Sequence, residues 1–230
     1  MNDLKDMNAF HLDVLREISN IGAGNAATAL STLLQKKVDM KVSRVIPMQF
    51  NEITEYVGGA ENIVASVFSR IEGDISGNML FVIGEENAKG LVDNLTGTDG
   101  DGQFSDMALS VLQEIGNILA GSYLTALADF TGFELQTSVP SLAVDMAGAM
   151  LSFGLMEIGR SGDWAIMIDA EIHTEEESGT DDSAVDKEIN KGENMDKGGK
   201  GKSGHIFLLP DPESFEKIFI ALGVHRYGSN

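Results

Sequence analysis

Two short stretches carry the side chains best suited to chemistry. In LDVLREISNIGAGNAATAL (residues 12–30), Asp13, Glu17 and Asn20 fall at i, i+4 and i+7. In LSVLQEIGNILAGSYLTAL (residues 109–127), Ser110, Glu114 and Asn117 repeat that spacing. On a helix such positions share one face at successive turns. An ionised Glu is an acceptor, fit to grip a Lys or Arg of a partner. An Asn amide offers both acceptor and donor atoms, so it can hold and orient one water. Neither motif contains a strong nucleophile or a histidine base. The set therefore suits a substrate that is already reactive and metal-bound, such as an acyl phosphate on another protein. Transfer of that group needs mostly positioning and charge stabilisation. One triplet alone would read as solvated helix surface. Two copies, each with the mediocre helix former Asn in mid-helix, argue for a task.

The two stretches stand 97 residues apart throughout: Leu15 matches Leu112, Ile18 matches Ile115, Gly24 matches Gly121 and Leu30 matches Leu127. Two copies are too few for a solenoid. They fit a fused duplication with pseudo-two-fold symmetry, one domain built of halves 1–98 and 99–230. Both stretches have helical periodicity, with Ser105 or Asp106 as an N-cap for the second and Thr131-Gly132 as its stop. Gly22 and Gly24 inside the first helix each cost about 1 kcal/mol relative to Ala, which a close helix–helix or helix–sheet approach would justify. Residues 37–46, 63–68, 77–83, 134–139, 164–172 and 205–209 read as strands, with Glu72-Gly73-Asp74 as a turn. Residues 85–95, 142–158 and 212–222 read as helices, the first closed by Gly97 and the last by Gly223. The predicted class is α+β, with long helices packed on a mostly antiparallel sheet.

The chain has 230 residues, 43% hydrophobic and 23% charged, so it can bury a core. Cysteine is absent, which excludes a disulfide framework, thiolate metal sites and a cysteine nucleophile. Lys plus Arg number 16 against 36 Asp plus Glu, a net charge of -20. Such a field repels nucleic acid and anionic membrane surfaces and favours a partner with a positive face. No stretch has the length and apolarity of a membrane span, and no apolar region follows the first residues, so a cytoplasmic protein without a signal peptide is expected. Residues 174–204 hold nine acidic residues, five lysines and six glycines, and read as a flexible loop joining two strands of a hairpin.

Three other motifs fail. Gly22-x-Gly24-x-x-Ala27 imitates a dinucleotide fingerprint, but that motif needs a preceding strand and a helix start at the glycines; here a helical pattern lies on both sides. Gly201-Lys202-Ser203 imitates a phosphate-binding loop, but its first glycine would be Asp196. His11, His173, His205 and His225 lack the close spacing of a metal site, and His11 reads as a lone surface histidine.

The second triplet continues across 22 residues from Asn117 to Pro140. The first has Ser43 at the corresponding position and Pro47 four residues later, which leaves strand entry there open. In this pattern, and in the strings EISNIGAGNAATAL, EIGNILAG and ALADF, the chain resembles the CheC-type chemotaxis phosphatases of the CheC/CheX/FliY family. The resemblance covers nearly the whole chain outside the 174–204 loop. It implies hydrolysis of the aspartyl phosphate of the response regulator CheY. Glu17 and Glu114 would pair with a receiver lysine, and Asn20 and Asn117 would align water against the phosphate. Asp13 and Ser110 would support the contact at the first turn, with Pro140 completing the second motif. It further implies no cofactor of the chain's own, magnesium residing on CheY, and a monomer with two centres. CheD is an implied partner, through the region of the 142–158 helix, which core packing explains equally well. An adaptor docking CheD or the flagellar switch with little turnover is the competing reading.

Overall fold

The helix that carries the first triplet, α1 (Ala9–Leu34), starts on a reciprocal cap in the computed structural model, which describes residues 7–97, 104–158, 164–174 and 202–223. The Asn8 side chain accepts from the His11 backbone N–H (3.1 Å), and His11 Nδ1 accepts from the Asn8 backbone N–H (3.0 Å). His11 is buried and meets Phe219 edge to face with ring centroids 4.7 Å apart. The expectation of a surface histidine is therefore corrected: the ring is both a cap acceptor and a core contact. The second long helix, α4 (Asp106–Thr131), starts at Ser105, whose Oγ accepts from the Ala108 N–H (3.1 Å). Its stop is Gly132, in the left-handed region at φ 73°. The equivalent residue of the first repeat is Gln35, held at φ 50° without glycine's freedom.

The strands follow from alternating or continuous apolar runs: β1 (Val38–Gln49), β2 (Ile63–Gly73), β3 (Gly77–Gly84), β4 (Leu135–Thr137), β5 (Ser141–Met146), β6 (Trp164–Thr174) and β7 (Lys202–Pro210). Among the described residues they form one sheet in the order β1-β6-β7-β3-β2-β4, with β5 also on β2, and every pairing is antiparallel. The order shows how the repeat is used. The β6–β7 pair of the second repeat lies on β1 of the first. The β2–β3 pair of the first lies on β4 and β5 of the second. The two pairs meet at β3 and β7.

The sheet is covered on both faces, which is why β3 is buried along nearly its whole length rather than alternately. On one face Val67, Ile71, Phe81, Ile83, Ile168 and Ile206 join Leu15, Ile18, Leu112 and Ile115 from α1 and α4 in one core. α1 and α4 approach closely at Gly22, where a Cβ would come within 3.0 Å of the Tyr123 ring. At Gly116 a Cβ would come within 2.5 Å of Val67, so α4 presses on β2 there. The packing reason expected for Gly22 is present; the same reason fails for Gly24, around which nothing lies within 4 Å of a built Cβ. The other face carries Leu80, Val82, Met167, Phe207 and Leu209 under Phe50, Ile53, Val57 and Leu151. Those covering residues come from a 3₁₀ turn (Phe50–Glu52) and two helices, α2 (Ile53–Tyr56, with Val57 as its C-cap) and α5 (Ala147–Ile158), the turn and α2 unforeseen in the sequence. α3 (Glu85–Thr96) ends at Gly97 as predicted, and α6 (Pro212–Ala221) closes the described chain.

One element differs from expectation. Residues 142–158 are not one helix: Ser141–Met146 form β5, paired with Phe68 to Ile63 of β2, and helix begins only at Ala147. Leu142, Val144 and Met146 fit period two as well as a helical face, and the open edge of β2 rewards the extended form. The loop expected over 174–204 falls on residues 175–201, outside the described residues, except at its ends, which are strand rather than loop: Thr174 belongs to β6 and residues 202–204 to β7, held there by pairing with Ile172, Glu171 and Ala170. No helix among the described residues is long and apolar enough to cross a membrane.

Candidate functional site

Both triplets project from the outer faces of α1 and α4, because the residues between them (Leu15, Ile18; Leu112, Ile115) are drawn into the core. Asp13, Glu17 and Asn20 are exposed, as are Ser110 and Glu114, and Asn117 is half-buried. Among the described residues, neither Glu of these pairs and neither Asn has a hydrogen-bond or ion-pair partner. Four chemically capable groups thus stand unused on the surface, each Glu one turn from its Asn.

The second triplet has a wall opposite it. Ser110, Gln113, Glu114 and Asn117 line an open cleft of about 560 Å³ whose other side is Thr137, Ser138, Val139 and Pro140. That wall is the break between β4 and β5, where Pro140 interrupts the strand pairing. It is pinned at two points. Ser138 exchanges bonds with the Arg70 backbone, donating N–H to the carbonyl (2.9 Å) and accepting from the amide at Oγ (2.9 Å). Gln113 Nε2 donates to the Pro140 carbonyl (3.0 Å), tying helix to wall. Val139 stands between these anchors, 85% exposed. The Ser110 hydroxyl donates back to the Asp106 carbonyl in its own helix (2.9 Å).

The first triplet is built differently. Arg16, at the repeat position of Gln113, donates to Asp13 (2.9 Å) on the open surface, where such a pair contributes little stability. β1 runs unbroken past Ser43, the position of Pro140, and absorbs the irregularity as a register shift between Val42 and Arg44. This settles the strand entry left open by the sequence. Pro47 sits opposite Ile166 in β1, which is an edge strand and tolerates it.

Gln113 was not recognised in the sequence, although its difference from Arg16 at equal repeat positions was a signal. A further polar group was also unforeseen. Arg44, Asp169 and His205 are cross-strand neighbours on β1, β6 and β7, with His205 Nδ1 3.2 Å from Asp169 Oδ1. His205 beside it holds the Asp169 carboxyl below its ordinary range. Arg44 donates to the Tyr56 hydroxyl (3.1 Å), so this ladder fastens α2 to the sheet, away from both triplets. Among the described residues no group of three or more His, Cys, Asp and Glu could hold a metal ion.

The CheC-like family model matches residues 10–42 and 107–144, the two helix-plus-strand runs that carry the triplets. The "CheY-P phosphatase CheC" of Bacillus subtilis is 42% identical over 217 residues, 92% of this chain and 93% of that protein. The "Flagellar motor switch phosphatase FliY" of the same organism is 32% identical over 141 residues, 60% of this chain and 36% of that protein. Among solved structures, Thermotoga maritima FliY superposes with a TM-score of 0.69 at 16% identity, covering 95% of this chain and 98% of that one. The FliM middle domain from H. pylori does so with a TM-score of 0.59 at 15% identity, covering 94% and 99%. The two superpositions speak for the fold alone. With 42% identity across nearly the full length of both proteins, and with its two motif-bearing segments matched, the chain belongs to the CheC-like family.

Proposed function

We propose that this protein is a hydrolase that removes the aspartyl phosphate from the response regulator CheY, using Glu17 and Glu114 to dock and Asn20 and Asn117 to steer water. The observation that carries this reading is the duplicated Glu–Asn pair, accessible at the surface and unpartnered among the described residues, in a chain close to a protein named for CheY-P dephosphorylation.

Each Glu carboxylate meets a cationic side chain of the receiver, forming a charge-assisted bond that sets the register of the helix. The Asn amide, one turn on, enters the receiver's phosphorylation site. Its carbonyl oxygen accepts from a water, aligning that water's lone pair with phosphorus. The water oxygen bonds to phosphorus as the phosphorus–carboxylate bond breaks. The carboxylate leaves as free aspartate, and the water's proton departs with the inorganic phosphate. Magnesium on the receiver would neutralise the phosphoryl oxygens. Asp13 and Ser110 flank the docking Glu one turn earlier, and Pro140 shapes the wall beside the second centre.

The decisive experiment is the decay of phosphorylated CheY with the wild type, with Asn20→Ala plus Asn117→Ala, and with both Glu residues changed to Gln. Wild type accelerates phosphate loss, the Asn double variant returns it to the unassisted rate while still binding CheY, and the Glu double variant weakens binding. An Asn double variant as fast as an accelerating wild type would move the chemistry off these amides, whereas a wild type that leaves the phosphate lifetime unchanged would leave a docking role, with CheD or the flagellar switch as the bound partner.

A further inference from the structure

The motif face of each helix continues past the Asn to a glycine that has no purpose inside the chain. Gly24 follows Asn20 by four residues and Glu17 by seven; Gly121 stands identically to Asn117 and Glu114. Positions seven apart are nearly aligned along a helix, so each glycine lies on the same stripe as its Glu, about 10 Å further along.

Other glycines in these helices or at their ends have evident uses. Gly22 admits the Tyr123 ring and Gly116 admits Val67. Gly132 supplies a left-handed cap. Gly24 and Gly121 do none of these: each is inside its helix without a positive φ, and a Cβ built on either meets nothing within 4 Å. Glycine in a helix interior is unfavourable relative to alanine, so the chain carries that penalty twice, at equivalent positions, without an intramolecular return. The same stripe bears an unpartnered apolar residue one turn before the motif: Phe10, 60% exposed, on α1, and Met107, 69% exposed, on α4.

We infer that Gly24 and Gly121 are specificity-determining positions, where the backbone of the phosphorylated receiver comes to lie directly on the helix. Glycine is the residue that allows main chain to approach main chain most closely. On this inference the rim of the receiver's phosphorylation site crosses each helix one turn beyond the Asn, with the amide at the phosphate. A methyl group there would hold that rim away and withdraw the amide. This rests on the phosphatase reading above.

The test uses the full-length protein with Gly24→Ala plus Gly121→Ala, and Gly22→Ala as a contrast. Three readouts are taken: the thermal midpoint, the affinity for CheY loaded with beryllofluoride, and the decay of phosphorylated CheY. The double variant should melt at or above the wild-type midpoint, because alanine favours the helix and its Cβ meets nothing. Its affinity for the loaded receiver and its kcat/KM should fall at least tenfold, an estimate from the cost of displacing reacting groups by about 1 Å. Gly22→Ala should instead lower the midpoint. Unchanged affinity in the double variant would overturn the inference. So would a lowered midpoint, which would give the glycines an internal role, or a loss of kcat with affinity intact, which would mean that they serve the freedom of the Asn side chain. Failure of the wild type to hasten phosphate loss would be a different result, sinking the phosphatase reading itself.

Discussion

The centre on α1 and the centre on α4 carry the same kinds of group in different surroundings. On α4, Glu114 and Asn117 face a wall that Pro140 breaks out of the sheet and that Gln113 and Arg70 fasten. On α1, which carries Glu17 and Asn20, the residue matching Gln113 is an Arg turned toward Asp13, and β1 runs unbroken past the position of Pro140. Duplication has kept the groups that would touch a partner and let their supports diverge. A wall already in place leaves less to be ordered when the partner arrives. The α4 centre is therefore expected to carry most of the turnover.

The largest effect should come from removing one amide at a time. Asn117→Ala should lower the rate of CheY dephosphorylation about tenfold, and Asn20→Ala less than about twofold, both short of the ~10²-fold cost of losing one oriented polar group because the other centre stays intact. Equal losses would erase the functional distinction between the centres. Next comes the fastening of the wall. In an Asn20→Ala background, which isolates the α4 centre, Gln113→Ala should reduce activity by about fivefold through misplacement of Pro140 and its neighbours. Its stability should change by no more than the ~1 kcal/mol of a single neutral hydrogen bond. Undiminished activity would show that the wall is incidental. Smaller still is Arg16→Gln, which frees Asp13 from an exposed pair and should alter turnover by less than about twofold.

The smallest expected effect separates the two helix starts. α1 depends on a neutral His11 ring accepting at Nδ1, whereas α4 is capped by Ser105, which does not titrate in the range concerned. Burial holds the His11 pKa below its ordinary value of 6.5. The unfolded chain then binds more protons at this residue as the pH falls through 6.5, so folded stability declines on acidification until His11 protonates in the folded state as well. Thermal midpoints measured from pH 7.5 down to about 5 should fall for wild type more steeply than for His11→Gln, which keeps an acceptor without the titration. Parallel slopes would remove His11 from the α1 cap.

Much of this molecule was legible in its sequence because the signals were local and occurred twice. Helical period, Ser105 and Gly132 located α4, and the 97-residue offset located both triplets. What escaped depended on distant partners. Residues 142–146 satisfy two periods at once, and only the open edge of β2 decides between them. His11 is buried by Phe219, some two hundred positions along the chain. Gly22 and Gly24 look alike in sequence, yet they face opposite ways on one helix, one into Tyr123 and one into open space. The contact of Gln113 with Pro140 requires knowing that the strand breaks there. The rows that exchange between repeats in the sheet were likewise beyond local pattern, since only long-range pairing sets strand order.

The most direct measurement is the lifetime of CheY phosphate in the presence of wild type and of the Asn20→Ala plus Asn117→Ala variant, with CheY binding monitored in the same samples. If the paired amides steer the attacking water, the wild type shortens that lifetime and the variant restores it to the value of CheY alone without releasing CheY. A variant that shortens it as well as wild type does would contradict the assignment of the chemistry to these two helices.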